Sequence, residues 1–197
     1  MSDAQLNVLA VVGSMRSNSV TGAALRHAAA ALHQAGCAVD ALDLGETPLA
    51  LYNPDTAYGD PGFAPLRSRV QSADVILLGT PDYHGSISSA LKNFLDHFWK
   101  EFTGKLLAAI VSSHEKGLTV HDQLRTVARQ CYAWSLPYGV SLQENLDVRG
   151  GVVVSDTLKA RLEMLARDVV VYGKLLATQR EADLAGTEPG FLAQLRK

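Results

Sequence analysis

Three stretches of this chain gather residues able to hold an anion or a flat polar ring, and each is met at the end of an apolar run. Gly13–Ser19, GSMRSNS, follows LNVLAVV; Gly79–Ser86, GTPDYHGS, ends the run DVILLG; Ser112–Gly117, SSHEKG, ends KLLAAIVS. In the first, a helix starting after a strand offers free backbone N–H groups and a positive dipole end, which suits a phosphate. Ser14 and Ser19 add hydroxyl donors, and Arg16 adds a charge-assisted pair. Taken alone, the stretch reads equally well as a capped turn beside an exposed arginine. It contains neither GxxxxGK[ST] nor GxGxxG, which excludes a Walker loop and a dinucleotide fingerprint. In the second stretch Pro81 fixes the backbone, Gly85 frees it, and Tyr83 and His84 supply flat side chains. Such a loop brings backbone N–H groups against a flat ring, or else turns the chain into a helix with Tyr83 merely packing.

Other chemistries find less support. His114, Glu115 and His121 do not fit HExxH or another recognised ligand spacing, so no metal site is expected. No GxSxG elbow occurs. Cys37 and Cys131 are far apart and form no CxxC; Cys131 continues the spacing of Val120, Leu124, Val127 and Ala128 and reads as a core thiol.

The elements that must position these loops follow from the apolar pattern. LNVLAVV, DVILLG and KLLAAIVS are nearly unbroken, as expected of parallel strands covered on both faces, and CAVDALDL is a weaker fourth. Between them lie helical stripes: Ala24, Ala28, Ala31, Leu32 and Ala35, stopped by Gly36; a shorter helix around Leu66–Ala73; and a long helix carrying Ile87, Leu91, Phe94, Leu95, Phe98 and Phe102. A last stripe holds Leu158, Leu162, Leu165, Val169, Tyr172 and Leu176, capped by Ser155 or Asp156. Alternating strands and helices give an α/β doubly wound sheet, in which ligands bind beyond the carboxyl ends of the strands. All three polar loops belong to that edge, and the order 2-1-3-4-5 makes the first and third strands neighbours, so that their loops meet.

The 197 residues suit one domain spanning 1–197, its polar tail from about Arg180 either loose or lying on a neighbouring subunit. A composition of 47% hydrophobic and 19% charged residues supports a real core. A formal net charge of -2 gives no basis for nucleic-acid or anionic-membrane binding, and no apolar run approaches the ~20 residues of a membrane helix. The polar start MSDAQLN lacks a signal-peptide pattern, so a cytoplasmic location is expected.

GSMRSNS resembles the GSxRxxS phosphate loop of the NAD(P)H-dependent FMN reductase family, and TPDYHGSISSALKNFLD resembles its TPEYNGSIPGxLKNxxD segment. The similarity runs in register from about Asn7 to about Arg125. The resemblance implies a flavodoxin-like fold with five parallel strands in the order 2-1-3-4-5. It makes Ser14, Arg16 and Ser19 ligands of the FMN phosphate, joined by Val20 and Thr21 where the family often has an aromatic residue and Asn. Pro81, Asp82, Tyr83, His84 and Gly85 match the loop that cradles the flavin ring, with His84 in place of the commoner Asn; Ser112, Ser113 and Gly117 are further ring neighbours. Ser88 and Ser89 stand where the family usually has Pro-Gly. The implied activity is hydride transfer from NADPH or NADH to FMN and onward to a small acceptor, such as free flavin, a quinone, an azo compound or a metal oxyanion, with no catalytic protein side chain. It also implies a homodimer or homotetramer, a role given to the apolar surface of the Ile87–Phe102 helix. The rival reading is a flavodoxin-like FMN electron carrier without NAD(P)H turnover, against which Arg16 and the near-neutral charge count.

Overall fold

The computed structural model describes residues 5–196. The first half of the chain forms β1 (Asn7–Val12), α1 (Val20–Gln34), β2 (Ala38–Asp43), α2 (Phe63–Ser72), β3 (Val75–Tyr83), β4 (Ser86–Ile87) and α3 (Ser89–Asp96). The second half adds β5 (Leu106–Ser112), α4 (Leu118–Gln130), β6 (Trp134–Ser135), β7 (Val140–Leu142), α5 (Glu144–Asp147), β8 (Val148–Arg149), β9 (Val152–Val153) and α6 (Asp156–Ala185). β1 lies between β2 and β3, β3 pairs with β5, and all these pairings are parallel.

Successive side chains of a strand face opposite ways, which explains the unbroken apolar runs. Val8, Ala10 and Val12 of β1 meet α1 and α6, whereas Leu9 and Val11 meet the core under α2, α3 and α4. The alanine stripe of α1 lets that helix lie close to the sheet, and Gly36, at φ 85°, ends it as expected. Ser155 caps α6 by accepting from Leu158 N–H.

The structure departs from the sequence reading in three places. The fifth strand, not located from the apolar runs, is split: β6 and β7 both run parallel to β5, at Leu106↔Trp134 and Ile110↔Val140, with Pro137–Gly139 between them. Pro137 has no N–H to give to the ladder, and Arg125 and Arg161 take the Pro137 and Gly139 carbonyls instead. The helix expected over Ile87–Phe102 is shorter. Ile87 belongs to β4, α3 stops at Asp96, and Lys100–Phe102 form a separate 3₁₀ turn. The His97 ring, with Nδ1 2.7 Å from the Asn93 carbonyl, engages the acceptor that the next turn would use. Phe94, Phe98 and Phe102 are nonetheless all buried together, so they offer no apolar surface for subunit contact. On α6, Tyr172 is exposed rather than in the core stripe. From Gly186 the chain folds back on itself: Leu192 is buried against Gly104, and Phe191 stacks on Tyr132.

Candidate functional site

The first loop leaves β1 through a tight crossing. Gly13 N–H donates to the Gly79 carbonyl at 2.7 Å, and a Cβ on Gly13 would fall 2.7 Å from Leu91 Cβ. A Cβ on Gly79 would come within 2.0 Å of Leu25 Cδ1, so glycine there lets the first turn of α1 lie directly on β3. Ser19 Oγ accepts from Gly22 N–H at 3.0 Å as the cap of that turn. Val20 and Thr21 precede Ala23, the first residue whose N–H donates to a helix carbonyl, that of Ser19, so their N–H groups remain for a ligand. Ser14, Ser19 and Thr21 are buried beside this turn, whereas Val20 is half-buried against the core. A buried hydroxyl, two free N–H groups and a helix dipole fit an FMN phosphate. Arg16 is exposed, and its Nη1 donates to Glu144 Oε1 at 2.6 Å.

The second loop is a two-residue hairpin, with Tyr83 opposite Ser86 across β3 and β4. His84 and Gly85 occupy its tip at φ 57° and 76°, the signs a type I′ turn requires. Asp82 ties it down: Oδ1 accepts from Gly85 N–H at 2.8 Å, and Oδ2 accepts from Ser113 Oγ at 2.9 Å. Gln123 of α4 adds a second clamp, its Oε1 accepting from Ile87 N–H and Ser86 Oγ while Nε2 donates to the Gly85 carbonyl. The third loop is held from behind. Ser113 N–H donates to the Leu142 carbonyl, Ser141 Oγ donates to the Lys116 carbonyl, and Gln143 Nε2 donates to the His114 carbonyl. Because the Ser141 proton goes to Lys116, its oxygen accepts from Nε2–H of His121, which fixes that tautomer. Burial depresses the His121 pKa, with Arg125 and Arg161 adding to the effect, and the ring props Ser141 behind the third loop.

Between the second and third loops opens a cleft of about 820 Å³ walled by Asp82, His84, Gly85, Ser113–Gly117 and Gln143. Of the residues singled out from the sequence, Asp82, His84, Gly85, Ser113 and Gly117 share this cleft. Pro81 is buried in β3, Ser112 is half-buried where β5 pairs with Leu142, and Tyr83 lies exposed on the hairpin outside the cleft wall. The first loop forms a turn of its own outside this cleft, joined to the others through Gly13, Gly79 and Ser88. Ser88 is buried and caps α3 by accepting from Leu91 N–H, while its hydroxyl donates to the Gly13 carbonyl. Sequence reasoning missed Gln123, Ser141, Gln143 and Glu144, whose partners lie far away along the chain.

A family model described as NADPH-dependent FMN reductase matches residues 6–146, a span that includes all three loops. The chain belongs to this family. By its description, that family reduces FMN with NADPH. Among its relatives, the probable NADPH:quinone oxidoreductase 1 of Oryza sativa subsp. japonica is 39% identical over 97 residues, 46% of this chain and 48% of that protein. The NAD(P)H-dependent FMN reductase of Pseudomonas aeruginosa is 36% identical over 121 residues, 57% of this chain and 62% of its own. The FMN-dependent NADPH-azoreductase of Staphylococcus aureus is 34% identical over 145 residues, 70% of this chain and 77% of its own. The first two matches thus span about half to three-fifths of the relative's length. Among solved structures, the flavoenzyme NAD(P)H:(acceptor) oxidoreductase FerB of Paracoccus denitrificans superposes with a TM-score of 0.72 at 19% identity, covering 86% of this chain and 98% of that one. An archaeal flavodoxin gives 0.61 at 12% identity, covering 86% and 99%. These likenesses establish the flavodoxin-like fold.

Proposed function

We propose that the protein is an NAD(P)H-dependent FMN oxidoreductase that passes electrons from NADPH or NADH to a small acceptor such as free flavin, a quinone, an azo compound or a metal oxyanion. The observation that carries this reading is the cleft between the second and third loops, whose volume suits a nicotinamide or a small acceptor at the ring-binding edge. FMN, when bound, supplies the hydride acceptance and onward electron transfer. Ser14, Arg16, Ser19, Val20 and Thr21 hold its phosphate. Asp82, His84 and Gly85 face the ring from one wall, with Pro81 behind them and Tyr83 on the outer side of the hairpin, and Ser113 and Gly117 face it from the other, with Ser112 behind them at the end of β5. Asp82 sets the gap between these walls, because one carboxylate grips the hairpin tip and the Ser113 hydroxyl together. No side chain acts as nucleophile or acid–base pair; the residues bind, orient and limit access.

The reading extends to a single domain over 1–197, a homodimer or homotetramer and a cytoplasmic location. An exposed stripe of Met164, Val171 and Leu175 on α6 supports subunit contact, and two free, buried cysteines suit a reducing compartment. Among the described residues no helix is long and apolar enough to cross a membrane.

The test is anaerobic addition of NADPH to the FMN-loaded protein. Loss of the yellow absorbance in one two-electron step, reversed by air or a quinone, is the expected result. Protein that binds FMN and stays yellow until another reductase is added is a carrier instead.

A further inference from the structure

The guanidinium expected to serve the flavin phosphate is already engaged by a carboxylate from the other end of the site. Arg16 and Glu144 meet through one nitrogen and one oxygen, Nη1 to Oε1 at 2.6 Å, with side chains 62% and 40% exposed. Glu144 does not reach there by chance of a floppy loop. Gln143 N–H donates to Asp147 Oδ2 at 2.8 Å, Val154 N–H donates to the Asp147 carbonyl at 2.8 Å, and Gln143 Nε2 binds the His114 carbonyl at 2.7 Å. Two adjacent residues thus reach opposite sides of the site: Gln143 grips the third loop and Glu144 grips the first.

A phosphate dianion drawn to Arg16 meets this carboxylate at the same guanidinium. The two anions repel each other, and each has to share or displace the other's hydrogen bond. Arg16 is the only cationic side chain in GSMRSNS, so within this loop the two anions share one guanidinium. We propose that Glu144 is an internal competitor for Arg16 that weakens the hold on the 5′-phosphate of FMN, so that the flavin is exchangeable rather than fixed. This rests on the reading of the first loop as a phosphate site.

The experiment titrates apo-protein with FMN and with riboflavin, which lacks the phosphate, following quenching of flavin fluorescence at fixed ionic strength. Wild type is compared with Glu144→Gln, Arg16→Ala and the double variant. Glu144→Gln is expected to tighten FMN binding about fivefold, the size of an exposed ion pair, and to leave riboflavin unchanged. Unchanged riboflavin binding also reports an intact fold. In the Arg16→Ala background the gain is expected to vanish, because the competition acts through that guanidinium. An unchanged or reduced preference for FMN over riboflavin in Glu144→Gln overturns the proposal, as Glu144 would then be neutral or would orient Arg16 for the phosphate. The same gain without Arg16 also overturns it, showing a diffuse charge effect. A wild type that does not distinguish the two flavins overturns the phosphate reading itself, and the proposal with it.

Discussion

His84 sits where the backbone suits it least. At φ 57°, ahead of Gly85 at 76°, it fills the first centre of a type I′ turn, a position that favours Asn followed by Gly. A non-glycine residue in the left-handed region costs about 1 kcal/mol or more, and Asn bears it better because its short amide can bond locally. Since Asn relieves part of that cost, His84→Asn is expected to raise Tm by about 1 °C in a chain of this size, read from thermal melts of the apo-protein. A fall in Tm would mean that the imidazole makes a contact on which the hairpin depends. At this scale the sequence was partly legible. Ser19 as a helix cap and Gly85 as a turn residue follow from local chemistry. Asp82 was seen as a ring-loop residue but not as the tie to Ser113, and Gln123 and Glu144 not at all. Their partners are set by which loops the sheet brings together, and no local pattern marks a side chain whose bond lies 128 positions away.

Among the elements, Ser88 joins two that the sequence keeps apart. Its hydroxyl starts α3 and fastens the Gly13 carbonyl at the exit of β1. Ser88→Ala should cost about 1–2 kcal/mol, as lost caps do, with a buried carbonyl left without its donor. A lower urea midpoint and weaker FMN binding than wild type are expected; an unshifted midpoint would show that water replaces the hydroxyl. Ser88 and Ser89 stand where the family usually has Pro-Gly, and the helix starts directly after Ser88. The strands β1, β3 and β5 were readable because burial on both faces leaves few polar interruptions. The Ile87–Phe102 stripe misled for a related reason. Phe94, Phe98 and Phe102 fill one core, so apolar spacing persists across the helix end at Asp96, where the His97 ring meets the Asn93 carbonyl. The split strand escaped notice because Trp134 and Ser135 are exposed and only Val140 and Leu142 are deeply buried.

For the molecule as a whole, Lys105 is a buried cation at the foot of β5. Its Nζ donates to the Val70 and Gln71 carbonyls at 2.6 and 2.8 Å, closing the end of α2. Burial, with Arg180 adding, pushes its pKa down to about 7, against the opposing pull of Asp74 and Glu101. The unfolded chain holds this proton up to the ordinary lysine range, whereas the folded chain releases it near 7. Between those limits the unfolded state binds more protons, so stability rises with pH, by at most about 1.36 kcal/mol per unit from this group. Urea unfolding at pH 7 and 9 should show that rise in wild type and a flatter profile in Lys105→Met, even though the variant loses two hydrogen bonds and is weaker at both. Parallel profiles would show that the folded protein keeps the ammonium charged.

The break at Pro137–Gly139 has a consequence for encounters between molecules. A sheet ends either because its last strand is covered or because that strand cannot template another. Here the outermost strand offers only two short, separated ladders, and between them a ring nitrogen without hydrogen stands where a neighbour would seek a donor. At the opposite border Arg69 grips Asp40 and the Ala41 carbonyl of β2, so an approaching backbone meets an ion pair and an acceptor already in use. Crowded copies of this chain therefore find little purchase for strand-to-strand growth at either border of the central sheet.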